Sequence, residues 1–220
     1  MPDANTTMMF EGEDHFNKHA SFICDKPYDE YKKFKSYFDK NFKVNGPNSF
    51  SPTMAVFSYL KNFIGMVTCR EASGKDDLFK AMSQMLFFPM SIASSLFIVA
   101  NDVNISQPDD PSITDALVVA FVTPENCLIL TSPYLIDESN NVIWREDKAY
   151  ISRVASKVED DSPVGDLVEM FYVFSHAEST GPFHYEEVLS YFQHAGFDFQ
   201  IFHPDKINDK NVISVPFRHR

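Results

Sequence analysis

The sequence predicts an α+β fold, in which N-terminal helices pack on an antiparallel β-meander of four or five strands and one late C-terminal helix follows. Two patterns indicate this class. Apolar residues before residue 95 recur at helical spacing, whereas those from residue 96 onward form short β-branched runs separated by turn sequences. Strands joined by short turns pair in an antiparallel arrangement. The chain has 220 residues, enough to form an apolar core without disulfides or a metal.

We expect residues 1–24 to be a flexible N-terminal arm and residues 25–220 to form a single domain. The first segment is polar and acidic and shows no sustained hydrophobic period. Immediately after it, a helix is predicted with Pro27 in its first turn. Its apolar residues are all aromatic and recur every third or fourth position: Tyr31, Phe34, Phe38 and Phe42. The segment 45–49 predicts a turn.

Two more helices are predicted before the sheet. One begins with Ser51 as its N-cap and Pro52 at its first helical position, and its apolar residues extend to Ile64. The other begins near Asp76, and Pro89 is expected to kink or end it.

Four apolar runs predict strands, and turn sequences separate them: 96–106, 116–122, 127–136 and 142–154. Pro133 predicts that its strand lies at an edge of the sheet or at a bulge, because proline has no N–H to donate to a neighbour. The segment 167–176 favours a strand over a helix because it is rich in β-branched and aromatic residues. A helix is predicted over 183–195, and a short strand over 197–204.

Part of this order resembles a known group of proteins. A helix (KDDLFKAMSQMLFF) leads into LFIVANDVNIS, the polar loop QPDDPSITD follows, and TPEN separates ALVVAFV from CLILTSPYLI. Over about residues 75–145 this is similar to small uncharacterised α+β proteins of tailed phages and their bacterial hosts. The resemblance implies a fold type and a viral or microbial source, and it implies no activity and no site residues.

Composition limits the kinds of partner and compartment that the sequence predicts. The formal net charge of −12 argues against a surface that binds nucleic acid or anionic membranes, because phosphate contacts need lysine and arginine. No stretch reaches the roughly 20 apolar residues that span a bilayer, and the first residues do not resemble a secretory signal. Neither dinucleotide nor P-loop glycine motifs occur, so no cofactor is predicted. The cysteines, Cys24, Cys69 and Cys127, are far apart and odd in number, which favours reduced thiols in the cytoplasm, or a host cytoplasm for a viral protein.

Histidines and carboxylates provide three candidate ion sites. His176, His184 and Glu178 lie close together in the C-terminal third and are the residue types that bind zinc. If the N-terminal segment is helical, His15 and His19 share one face and can bind zinc or nickel; a solvated arm is the alternative. The third candidate surrounds the loop between the first two predicted strands, where oxygen ligands could bind a hard cation: Asp102, Asp109, Asp110 and Asp115.

The sequence favours two functions of different kinds. The first is a non-enzymatic, phage-type accessory or interaction protein that binds a protein partner or itself. Aromatic residues recur even in polar segments, as at Tyr37, and aromatic residues anchor protein interfaces. The alternative is a small metal-dependent hydrolase that uses His176, His184 and nearby carboxylates. Cys69, beside Arg70, is a further candidate nucleophile, but the sequence favours a role as a small apolar residue after the second predicted helix.

Overall fold

The computed structural model describes residues 6–21, 24–58, 63–69, 94–107, 109–123, 126–155, 183–184, 194, 197–201 and 212–213. Two helices and eleven strands occur in these ranges. The helices are α1 (Glu13–Ala20) and α2 (Pro27–Asn45). The strands are β1 (Thr6–Met9), β2 (Thr53–Ser58), β3 (Phe63–Cys69), β4 (Ser94–Asn104), β5 (Asp115–Val122), β6 (Asn126–Ile136), β7 (Val142–Trp144), β8 (Tyr150–Ala155), β9 (Phe183–His184), β10 (Phe197–Ile201) and β11 (Val212–Ile213).

Nine of these strands form one antiparallel sheet. Eight follow the order β1-β8-β6-β5-β4-β2-β3-β10, and β7 pairs with the last three residues of β6, 134–136. Strands β9 and β11 form a separate pair. Both helix and strand are present, in agreement with the α+β prediction. The predicted meander of four or five strands is wrong, because β2, β3, β10 and β1 extend the sheet on both sides of β4, β5, β6 and β8.

The helix predicted from Ser51 is also wrong, because its residues form β2 and part of β3. Both faces of β2 are buried: Met54 and Val56 lie on one face, Ala55 and Phe57 on the other. A strand that is buried on both faces shows a continuous apolar run, which hydrophobic periodicity cannot distinguish from a buried helix. The helix predicted near Asp76 lies outside the described residues.

Most of residues 6–20 lie in two elements of secondary structure, β1 and α1. Strand β1 pairs with β8 along its four residues. Helix α1 follows at once and buries Phe16 and Ala20 completely. The backbone N–H of Tyr28 donates to Asn17 Oδ1 over 3.0 Å, which ties α1 to the start of α2. Each of these elements is too short to show a hydrophobic period, so the sequence pattern missed them.

Helix α2 is confirmed, including Pro27 in its first turn and the burial of all four predicted aromatic residues. It ends at Gly46, whose N–H donates to Phe42 O over 2.8 Å and whose φ of 81° suits glycine. Helices α1 and α2 share one aromatic core with one face of the sheet, which includes Leu117, Leu130 and Ile151.

The predicted strands at 96–106, 116–122 and 127–136 are confirmed as β4, β5 and β6. The one predicted over 142–154 divides into β7 and β8, with a 3-10 turn at Glu146–Lys148 between them. The short strand predicted over 197–204 is confirmed as β10. Residues 183–184 belong to β9, so the late helix does not begin there; its residues 185–193 and the segment 167–176 lie outside the described residues.

Pro133 does not mark an edge strand, because β6 lies inside the sheet. Strand β6 pairs with β8 up to Thr131 and with β7 from Tyr134. Pro133 lies between these two pairings, where its carbonyl accepts the Arg145 N–H over 2.8 Å. The missing N–H of proline therefore falls where the neighbouring strand is interrupted, which is how an interior strand accommodates proline.

Replacement of Phe16 by alanine tests whether the N-terminal segment belongs to the core. We expect Phe16→Ala to lower the free energy of unfolding by about 3–5 kcal/mol, because it removes a fully buried ring. Chemical denaturation measures this change. Val44→Ala is the matched control, since Val44 is 79% exposed on α2 and should change stability by no more than about 0.5 kcal/mol. Equal stability of both variants would contradict the core role of α1.

Candidate functional site

The metal site predicted at His176, His184 and Glu178 is not tested by the structure. His176 and Glu178 lie outside the described residues. The backbone of His184 pairs with Val212 in the short β9–β11 pair. Elsewhere in the described ranges, no group of three or more histidines, cysteines and acidic residues is placed to hold a metal ion. The hydrolase interpretation that uses these residues stays a prediction.

The acidic loop between β4 and β5 uses its carboxylates within the fold. Asp110 accepts hydrogen bonds from Ser112 and forms an ion pair with Arg145 over 3.1 Å. These two contacts, the serine first, hold the pKa of Asp110 below its usual range. Arg145 also bonds Asp147 through two nitrogens, so it connects the loop to the turn before β8. A cation at the hard-cation site predicted here would therefore have to compete with Arg145 for the carboxylate of Asp110.

The other three carboxylates of the predicted hard-cation site lie in different surroundings. Asp102 is buried and accepts a hydrogen bond from the Tyr134 hydroxyl over 2.8 Å. Asp115 accepts from Thr114 Oγ1 over 2.7 Å, and Asp109 is exposed. The four acidic residues of the candidate thus do not converge on one point.

The two cysteines whose side chains are described, Cys24 and Cys127, are both buried. Burial raises the pKa of the Cys127 thiol to about 12, so it carries no thiolate near neutral pH. Both cysteines are thus small buried residues of the apolar core. Nothing is established for the side chain of Cys69.

His15 and His19 do share a face, because residues 13–20 are helical. Their ring centres lie 4.7 Å apart at an interplanar angle of 70°. Both rings are half-buried, and the Nδ1 atom of His15 is buried without a hydrogen-bond partner. The pKa of His19 is lowered by burial first, and then by the nearby charges of His15, Lys18 and Arg153.

A pocket of about 360 Å³ lies between α2 and the strands β2 and β3, and no sequence pattern predicted it. Among the described residues, its lining comes from α2 and from the strands β2 and β3 beneath it: Glu30, Lys33, Phe34, Tyr37, Ala55, Phe63 and Met66. Pockets of this size hold small ligands or single side chains of a protein partner. We call it the α2–β3 pocket.

The small side chain of Ala55 contributes to this pocket. Ala55 lies directly opposite Met66 in the β2–β3 register, on the face that packs against α2. One methyl group fills little of the space between helix and sheet. The register also shifts between Val56 and Phe57, and such irregularities increase the local twist of a strand pair. Phe57 and Phe63 close that end, with ring centres 5.6 Å apart.

Polar groups stand only at the margin of this lining. Lys33 Nζ and Glu30 Oε1 form an ion pair at 2.7 Å, and the Lys33 side chain is 69% exposed. The Glu30 side chain is only 20% exposed, so the lysine is the outer member of this pair. Tyr37 is also exposed, with its ring centre 5.6 Å from that of Phe50. The pocket therefore combines an apolar interior, an aromatic margin and an exposed lysine at its rim.

Tyr37 belongs to an exposed stripe along α2. Lys33, Tyr37, Lys40 and Val44 are separated by four, three and four residues, the spacing of one helix face. All four side chains are exposed. The stripe, which we call the α2 stripe, thus alternates basic and apolar groups and ends in the α2–β3 pocket.

No protein-family model, no curated protein and no solved structure matches this chain. The resemblance to phage proteins stays a prediction. In the part of the chain that the structure describes, no helix is long and apolar enough to cross a membrane.

The buried tyrosines make stability fall at alkaline pH. Burial raises the pKa of Tyr134 from its ordinary value near 10, and Asp102 raises it further. The unfolded chain therefore loses this proton above pH 10 while the folded chain keeps it, so the stabilisation is complete below pH 10 and is lost as the pH rises. Between pH 8 and 11 we expect Tyr134 to account for about 1.4 kcal/mol of lost stability.

Urea unfolding of wild type and Tyr134→Phe at pH 8 and 11 measures this contribution. The variant should be less stable at pH 8, because Asp102 loses a hydrogen-bond donor. Its stability should then fall less steeply with pH. Parallel pH profiles of the two proteins would show that Tyr134 titrates alike in the folded and unfolded chains.

Proposed function

We propose that this chain acts by binding a protein partner, which inserts an apolar side chain into the α2–β3 pocket and lies along the α2 stripe. The observation that carries the proposal is the continuity of the pocket with the exposed ring of Tyr37. Stable interfaces place an apolar anchor in a pocket and surround it with polar groups that exclude water. The Glu30–Lys33 pair provides such a margin.

The charges of the α2 stripe favour an acidic partner segment. Lys33 and Lys40 flank Tyr37 on the stripe, and Lys43 is exposed one turn beyond Lys40. Complementary charge steers association and selects partners. An extended or helical segment with one large apolar residue between acidic residues fits this pattern. A second copy of this chain, which has a net charge of −12, is one source of such a segment.

Photo-cross-linking from the stripe tests the proposal directly. We expect a benzophenone amino acid in place of Tyr37 to form one adduct of defined mass in an extract of the source cells. Ala55→Leu, which adds three carbons to the pocket, should weaken formation of that adduct about tenfold, since about 1.4 kcal/mol of anchor burial corresponds to that factor. Thermal unfolding verifies that the filled variant is folded.

A charge-matched pair of variants separates the stripe from general electrostatics. Lys40→Glu on the stripe and Lys18→Glu on α1 change the net charge equally, and both lysines are exposed. Only Lys40→Glu should reduce cross-linking. An adduct that persists unchanged in Ala55→Leu and Lys40→Glu would refute the proposal, and an adduct of twice the chain mass would identify the partner as a second copy.

A further inference from the structure

We propose that His15 and His19 form a two-histidine site on α1 for a divalent transition-metal ion such as Zn²⁺, with water completing the coordination. The site is separate from the α2–β3 pocket and does not depend on the function proposed for it. It uses two imidazoles one helical turn apart, which are held on α1 by the burial of Phe16 and Ala20.

The ring separation fits a shared ion. Zinc–nitrogen bonds of about 2.0–2.1 Å place an ion roughly 3.2 Å from the centre of each imidazole ring. Nitrogen–metal–nitrogen angles between octahedral and tetrahedral values then require ring centres roughly 4.5–5.2 Å apart. The observed separation of His15 and His19 is 4.7 Å. The separation of the two ring centres therefore falls within the range that one shared ion requires.

The unpaired nitrogen of His15 is an independent observation. Its Nδ1 atom is buried and has no hydrogen-bond partner. Buried polar atoms without partners are uncommon in folded proteins, and a bound ion or water is a usual explanation. Among the described residues, only Asn101 Nδ2 shares this property, so the histidine pair contains one of two such atoms.

The donor set of the pair fits a transition-metal ion. Within the described residues the pair has no third side-chain ligand, which leaves the remaining coordination positions to water. Imidazole with water is a donor set that suits zinc, nickel and copper.

An ion at this site would link two successive turns of α1. That helix has only eight residues, a length at which isolated helices are not stable, so it depends on its packing. A metal crosslink would stabilise it and, with it, the burial of Phe16 between α1 and the sheet. Metal binding and the anchoring of the N-terminal segment are thus coupled.

Zinc titration of the chelator-treated full chain tests the site, with the ring resonances of histidine recorded by NMR. We expect one Zn²⁺ ion to shift the signals of His15 and His19 together and to raise the thermal midpoint. His15→Ala and His19→Ala should each weaken this binding at least tenfold. His194→Ala is the matched control, because it also leaves six histidines and has no histidine four residues away on either side.

The outcomes separate clearly. Binding that is lost in both pair variants and kept in His194→Ala supports the site. Zinc that shifts other histidines first, or that binds with wild-type affinity to His19→Ala, overturns it. If His15→Ala fails to fold, His19→Gln provides a second variant. Glutamine keeps a polar side chain of similar length but removes the imidazole ring.

Discussion

The packing of Phe38 against the sheet is the contact on which the described structure depends. Its ring is fully buried and lies 5.1–5.8 Å from four other rings: Phe42, Phe50, Tyr134 and Trp144. Hydrogen bonds from the Trp144 indole to Asp39 and between Tyr31 and Ser132 then fix the rotation of α2 about its axis. Because that rotation is fixed, the opposite side of the helix must face solvent, and this side carries the α2 stripe. The binding surface is thus a consequence of the aromatic core.

Burial of both sheet faces explains which elements the sequence predicted. Strand β5 is β-branched and bounded by turn residues on both sides, so its fully apolar run could be assigned although it does not alternate. Strand β2 has the same burial, but Ser51 and Pro52 before it imitate a helix start, and the run through Phe57 suits either element. The decisive information is the pairing of β2 with β4, from Thr53 opposite Ala100, and this is a long-range contact that no local pattern contains.

The candidate sites also differ in how far the sequence could predict them. The shared face of His15 and His19 follows from their spacing once the segment is helical, so the sequence contained that hypothesis and lacked only the helix. Tyr37 was recognisable as an aromatic residue in a polar segment. The α2–β3 pocket was not recognisable, because a void depends on how far α2 stands from the sheet above Ala55 and Met66. The volume between a helix and a sheet depends on tertiary packing, so the spacing of residues along the sequence does not predict it.

The acidic composition of the chain does not oppose an acidic partner at the α2 stripe. At physiological ionic strength the screening length is about 8 Å, so a charged partner senses the groups near its own contact and hardly those elsewhere. Nearby, Lys32 is already paired with Asp29 and Glu13, and Lys35 with Glu146 over the Trp144 ring. Lys40 and Lys43 take part in no such pair among the described contacts and lie close to Tyr37 along the helix. The basic margin of the α2 stripe therefore remains locally attractive to carboxylates beside an apolar anchor, although the chain as a whole has a net charge of −12.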